Sequence, residues 1–278
     1  MDGFRSSLSE SIEKSAKAAG FTTLHASAKN DVATQLADVK QMIAAGASAL
    51  VVVGVDTRAE EDVAKVVASA GLPLVFVNHE PPSTLLNART VYVGSDEKES
   101  GTLQTREICR RLGGKGGITV LMGELTHPAA RMRTHDVHDV LKTPECQGLE
   151  ILEEQSANWS REQAADITRV WLDGKLKPQA IIANNDAMAL GAIDSIKATG
   201  ATGILVAGID ATDGALQSLA SGDLALTILQ DAQGQGRVAI ELTQKLLRNE
   251  PVEAVTYVPF QLVTPADVQT LLAHRAKN

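Results

Sequence analysis

The sequence predicts an α/β protein built of two doubly wound parallel-sheet lobes, and three observations carry that expectation. Short, wholly apolar runs alternate with helical patterns almost from end to end. The alternation falls into two consecutive series of roughly a hundred residues or more, which suits two domains better than one oversized sheet. The 278 residues, 44% of them hydrophobic, suffice for two cores of ordinary size.

In the first series, Leu8, Ile12, Ala16 and Ala19 share one helical face, and Val32, Leu36, Val39 and Ile43 share another. Strands are expected at 22–26 and 49–53. A helix over 60–70 turns Val63, Val66 and Val67 inward, and after Gly71 and Pro73 comes a strand at 74–77. Runs that are apolar on both faces belong in a parallel sheet covered by helices on each side. A strand at 91–94 closes the series, and Asp96 with Glu99 reads as a capping box opening a helix to Leu112.

The second series has strands at 117–122, 149–155, 180–183, 204–208 and 226–229. Its helices are expected at 131–142, 161–173, 187–198 and 212–220, with another at 233–247. A strand over 258–263 and a short helix finish the chain. Nothing between the two series has the composition of a flexible linker, so the connection reads as a strand crossing from one to the other.

The net charge of −8, with 34 acidic against 26 basic residues and no long basic run, disfavours nucleic acid or an anionic membrane as partner. A small neutral ligand fits better. The longest apolar stretches, such as 47–53, fall far short of the roughly 20 residues that cross a bilayer. The start of the chain lacks the succession of a secretory signal and, taken literally, reads as cytoplasmic. Cys109 and Cys146 show no metal-ligand spacing and are expected to be two free, partly buried thiols.

In open parallel sheets, ligands bind outside the carboxyl ends of the strands. The residues there are Asn78-His79-Glu80, Asn184-Asn185-Asp186, Asp210 and Gln230. Amides and carboxylates of this kind accept from and donate to adjacent hydroxyls, which is how a polyol is held. Capping explains Asp186, expected as the N-cap of the following helix, and would serve for Asp210. It does not explain Asn184 and Asn185 together, or Gln230. Arg131 and Arg133 stand near a helix start, where the dipole disfavours positive charge, and so want another reason for their place. Trp159 and Arg161 follow a strand; a Trp face packs on the C–H side of a sugar ring or cyclitol while Arg donates to its oxygens.

Catalytic signatures are missing from the sequence: it holds neither a G-x-S-x-G elbow nor a P-loop, and GGKGG at 113–117 precedes a strand and reads as a loop. His135 and His138, with Asp136 and Asp139 beside them, read as a solvated helix face and not as a metal site. His25 and His274 carry no signal. No catalytic residue, metal or cofactor is expected.

The segments NNDAMALGAI, VAGIDATDGAL, LTILQDAQGQG and PAARMR resemble, in order and spacing, the periplasmic sugar-binding proteins of ABC transporters of the ribose-binding type (periplasmic binding protein type I). VFVNHEPP and VPFQLVTPADV are similar to the inositol and rhizopine-binding branch. The resemblance spans the whole chain and implies two α/β lobes joined by three hinge crossings that close on one ligand. The lobes would be 1–95 with 231–260, and 96–230 with 261–278. It implies contacts from Asp2 and Phe4 in a first loop, and from Asn78, His79, Arg131, Trp159, Asn185, Asp210 and Gln230. Phe4 and Trp159 would sandwich the ring, and the others would hold its hydroxyls.

The same resemblance implies a monomer in the periplasm that hands a cyclitol or monosaccharide, myo-inositol being the best match, to the membrane subunits of an ABC permease. Where ribose binders carry Asp-Arg and the inositol branch Asn-Arg, this sequence has Asn78-His79, which argues against ribose. The chain begins where the family has completed a first strand, implying that this strand and an export signal lie upstream of Met1. The alternative is the ligand-sensing domain of a LacI-type regulator, which requires an N-terminal helix-turn-helix. An enzyme on this fold would need a nucleophile, or an acid and base, poised together, and the sequence supplies only hydroxyl-binding groups.

Overall fold

A run such as Leu-Val-Phe-Val, apolar throughout without a polar residue, is stable only where both faces of a sheet are covered. In the computed structural model, which describes residues 3–275, this run is strand β2 and all four of its residues are buried. The first elements are α1 (Gly3–Ala18), α2 (Val32–Ala44), β1 (Leu50–Val52), α3 (Thr57–Ser69), β2 (Leu74–Val77) and β3 (Thr90–Gly94). Then follow α4 (Glu97–Leu112), β4 (Lys115–Met122), α5 (Pro128–Leu141), β5 (Gly148–Ser156), α6 (Arg161–Asp173), β6 (Ala180–Ala183) and α7 (Asp186–Thr199). The chain continues through β7 (Leu205–Ile209), α8 (Asp213–Ser221), β8 (Leu226–Leu229), α9 (Ala232–Leu247), β9 (Val255–Tyr257), β10 (Gln261–Val263) and α10 (Val268–Arg275).

These elements form two compact units, and the chain passes from one to the other three times. The first unit is Gly3–Ser95 with Asp231–Pro259; the second is Asp96–Gln230 with 260–275.

The first unit holds a four-stranded parallel sheet in the order β1-β2-β3-β9. Successive side chains of a strand point to opposite faces, so β2 serves two cores. Val75 and Val77 pack with Phe4 and Leu8 of α1 and Leu242 of α9, whereas Leu74 and Phe76 pack with Val39 of α2 and Val63 and Val67 of α3. The second unit holds six strands in the order β10-β8-β7-β6-β4-β5, all parallel save β10, which runs antiparallel to β8. In β6, Ile181 and Ala183 face Met188 and Ala192 of α7, and Ala180 and Ile182 face Ile108 of α4 and Val137 of α5.

Four expected local features and the state of the cysteines come out differently in the structure. Residues 22–26 form no strand; Leu24, the one large apolar side chain among them, is 53% exposed, and so little burial cannot hold a segment against a sheet edge. Of the strand expected over 258–263 only Gln261–Val263 is strand, β10 of the second unit; β9 of the first unit has already ended at Tyr257, and between them stands Pro259, which has no N–H to give a ladder. Part of GGKGG is strand: Gly113 caps α4 in the left-handed conformation and β4 begins at Lys115. Asp96 caps α4 by accepting from the Lys98 N–H, not from Glu99 in a box. Cys109 and Cys146, expected as free thiols, form a disulfide between buried positions 5.7 Å apart at their Cα atoms, one on α4 and the other after α5. The fold brings them together, and spacing along the chain carries no trace of it.

Candidate functional site

Arg133 organises the strand ends of the second unit. It sits on α5 four residues before Val137 and seven before Val140, on the helix's inward face, and is only 4% exposed. A buried guanidinium must find partners for its N–H groups. Nε and Nη2 donate to the two carboxylate oxygens of Glu97 at 2.8 and 2.9 Å, and Nη1 donates to the Asn184 carbonyl at 2.8 Å. Nη2 also reaches Gln230 Oε1 at 3.4 Å. The guanidinium carbon lies 5.9 Å from the ring centres of both Trp159 and Phe260, within cation–π range. Burial works against its charge, but Glu97, Asp210 and Asp186 outweigh that and keep its pKa above the usual arginine value.

Arg131, the arginine expected at the site, does something else. It is exposed, and its Nη1 donates to the carbonyls of Leu125 and Thr126, closing the turn before α5. Arg161, read as a sugar donor, forks onto Asp194 at 2.7 and 2.9 Å on the surface. His138 pairs with Glu154 at 2.9 Å and His135 with Asp139 at 3.1 Å, both exposed.

The three polar residues after β6 divide their work differently from the expectation. Asn184, wholly buried, accepts from the Gly123 N–H at 3.0 Å and the Thr134 hydroxyl at 3.2 Å. Asn185, not Asp186, is the N-cap of α7: its backbone is extended and its side chain accepts from the Met188 N–H at 3.0 Å. Asp186 is the first helical residue, fully buried, and its carboxylate accepts from the Thr227 hydroxyl at 2.7 Å, the Thr212 N–H at 2.7 Å and the Thr212 hydroxyl at 3.1 Å. Burial, opposed by these donors, raises its pKa to about 7.

Backbone conformation marks the same places. Asn78 after β2 (φ 66°), Trp159 after β5 (φ 63°) and Asp210 after β7 (φ 123°) all have positive φ, which costs non-glycine residues energy and collects at working sites. Trp159 is half-buried, stacks edge-to-face with His127 at 5.4 Å, and lies over Gly123, where a Cβ would collide with the indole ring. Gln230 is 3% exposed and turns its Nε2 toward Glu97 at 3.4 Å.

In the first unit, the end of β2 carries a buried pair. His79 Nδ1 lies 2.6 Å from Glu60 Oε1, and both side chains are almost wholly inaccessible. Burial raises the Glu60 pKa against the opposing hydrogen bond from His79. Gly54 at the end of β1 makes room, since a Cβ there would collide with the Glu60 carboxylate. Glu60 Oε2 is buried without a hydrogen-bond partner. The Asn78 carbonyl accepts from the Tyr92 hydroxyl at 3.1 Å. Phe4, expected in a loop, lies in the first turn of α1, 7% exposed and packed in that unit's core. Asp2 lies outside the described residues.

Residues 1–251 match the family model described as a periplasmic binding protein domain. The chain belongs to the periplasmic binding protein family. Over 244 residues it is 50% identical to a protein named as rhizopine-binding from Rhizobium meliloti, covering 87% of this chain and 79% of that one. It is 29% identical over 258 residues to the ribose import binding protein of Bacillus subtilis, covering 93% and 82%. Among solved structures, an ABC transporter solute-binding protein from Bacillus halodurans with bound myo-inositol superimposes with a TM-score of 0.91 at 33% identity, covering 98% of this chain and 94% of that one. These relatives are binding proteins, and this member of the periplasmic binding protein family is likewise a binding protein and not an enzyme.

In this family member, sequence reasoning missed Glu97 and Glu60, and of the two arginines it singled out it carried Arg131 to the site in place of Arg133. Each carried a signal in its spacing. Glu60 precedes Val63, Ala64 and Val67 by three, four and seven residues, and Glu97 stands likewise before Ser100, Gly101 and Gln104, so both begin an inward face. A charged residue in register with a buried stripe is expected to be paired, and these are.

Proposed function

We propose that this protein is the solute-binding component of an ABC importer, that its ligand is a cyclitol, with myo-inositol the first choice, and that its two lobes close on that ligand. The observation that carries the reading is the set around Arg133: an indole face at Trp159, the Gln230 amide, the Asn184 carbonyl, and carboxylates at Asp210 and Glu97. An apolar plate beside hydrogen-bonding groups that both donate and accept suits a ring carrying hydroxyls on its rim. The rhizopine-binding relative and the inositol-bound neighbour support a cyclitol over other sugars. In this reading Asn78 and His79 contribute from the first unit, and His79 is held in place by Glu60.

The working place belongs to the proposal as well: export to the periplasm, a monomer in solution, and delivery to the membrane subunits of the permease. Intrinsic fluorescence tests the ligand, because Trp159 is half-buried beside Arg133. Titration with myo-inositol, D-ribose, D-galactose and xylitol is expected to give a saturable change with myo-inositol at the lowest concentration. A response to ribose at lower concentration would overturn the cyclitol reading.

A further inference from the structure

A guanidinium has five N–H donors. In Arg133 the Nε donor and one Nη2 donor go to Glu97, the second Nη2 donor points at Gln230 Oε1, and one Nη1 donor goes to the Asn184 carbonyl. That leaves a single N–H, on Nη1. Recognition of a carboxylate or phosphate by arginine draws its strength from two parallel donors and an unshared positive charge. Neither is left here, because Glu97 occupies one forked edge while Asp210 and Asp186 add negative charge around the same group. Glu97 is itself fixed: besides Arg133 it accepts from the Ser100 hydroxyl at 3.3 Å and from Gln230 Nε2 at 3.4 Å.

We propose that Glu97 is a specificity-determining residue that turns Arg133 from an anion clamp into a reader of one hydroxyl, so that the site takes uncharged polyols and refuses sugar acids and sugar phosphates. The inference rests on the binding reading above and names the ligand class that reading admits. Glu97 need not touch the ligand; it acts by occupying Arg133 and neutralising it.

The test compares wild type, Glu97→Gln and Glu97→Asp, with folding checked by circular dichroism. Calorimetry measures myo-inositol and myo-inositol 1-phosphate, and thermal unfolding is followed with inorganic phosphate as a probe that needs no sugar. Wild type is expected to bind myo-inositol and ignore both phosphates. Glu97→Gln removes the negative charge and one of the two acceptor oxygens, freeing one donor of the fork and the charge of Arg133. The preference for the phosphorylated compound over the neutral one should therefore rise by roughly tenfold or more, and phosphate should now raise the unfolding temperature. Glu97→Asp keeps the charge and should still ignore phosphate, which carries the test if Glu97→Gln does not fold. Phosphate binding by wild type or by Glu97→Asp, or none gained by a folded Glu97→Gln, overturns the proposal. If wild type binds no polyol while the phosphate results come out as expected, the cyclitol reading fails and the role of Glu97 stands.

Discussion

Asp186 accepts the Thr227 hydroxyl at 2.7 Å, tying the start of α7 to β8, and its other oxygen takes the Thr212 N–H at 2.7 Å, tying it to the turn before α8. A carboxylate used in this way is a clasp inside the second unit. The neighbouring Asn185 carries the helix cap, leaving Asp186 wholly buried with every contact directed at protein.

The two residues should therefore respond differently to truncation. Asn185→Ala removes a cap and is expected to cost about 1 kcal/mol of stability. Asp186→Ala strands three donors in a dry site and should cost roughly 3 kcal/mol or more. Urea unfolding of both variants checks the ranking; equal losses would mean that the clasp contributes no more than a cap.

The two arginines of α5 should separate just as clearly in ligand binding. Arg133→Lys cannot span both oxygens of Glu97 and still reach the Asn184 carbonyl, so affinity should fall by about a hundredfold, close to 3 kcal/mol. Arg131→Ala only opens an exposed turn and should leave affinity within roughly twofold. Calorimetric titration of the two variants side by side measures both effects.

Asp136 gives the second unit a dependence on pH. Burial raises its pKa from 3.8 to about 7, with Glu97 and Asp139 adding to the rise and the backbone N–H groups of Thr102 and Gly101 opposing it. A carboxyl that holds its proton more tightly when folded adds stability below its unfolded pKa and loses it as pH climbs through about 7. From pH 5 to pH 8 the native state should weaken, by at most about 1.4 kcal/mol per unit from this group. Asp136→Asn should flatten that slope relative to wild type in urea melts at each pH. An unchanged slope would show that Asp136 is ionised throughout.

Reduction should weaken the same unit. The Cys109–Cys146 disulfide closes a loop with a sequence separation of 37, for which chain entropy gives a stabilisation of about 4 kcal/mol. Cys109→Ser with Cys146→Ser is expected to lower the unfolding free energy by a few kcal/mol in oxidising buffer and to remove any effect of dithiothreitol. A dithiothreitol effect of the same size in the double variant would mean that the bridge is not its source.

The alternation of strands and helices was legible because fully apolar runs such as 180–183 have one stable home, between two layers of helix. The residues after those runs were legible for a related reason, since polar side chains gather where a sheet opens to ligand. Trp159 and Gln230 do stand at Arg133. What escaped was anything decided by contact between distant segments. Proximity to the helix start did not separate Arg131 from Arg133, although register with Val137 and Val140 does. Local chemistry likewise suited Asp186 as a cap, and only Thr212 and Thr227, 26 and 41 residues away, gave it other work. The cysteines were beyond reach for the same reason. Residues 22–26 looked like a strand by alternation alone, which is not enough without a neighbour to pair with.

The central claim is that the groups around Arg133 hold an uncharged cyclitol without reacting with it. Calorimetric titration of the purified protein with myo-inositol tests it most directly. The expected result is a saturable isotherm with one ligand per chain and the ligand recovered unchanged. An absence of heat, or conversion of the ligand during the titration, would contradict it.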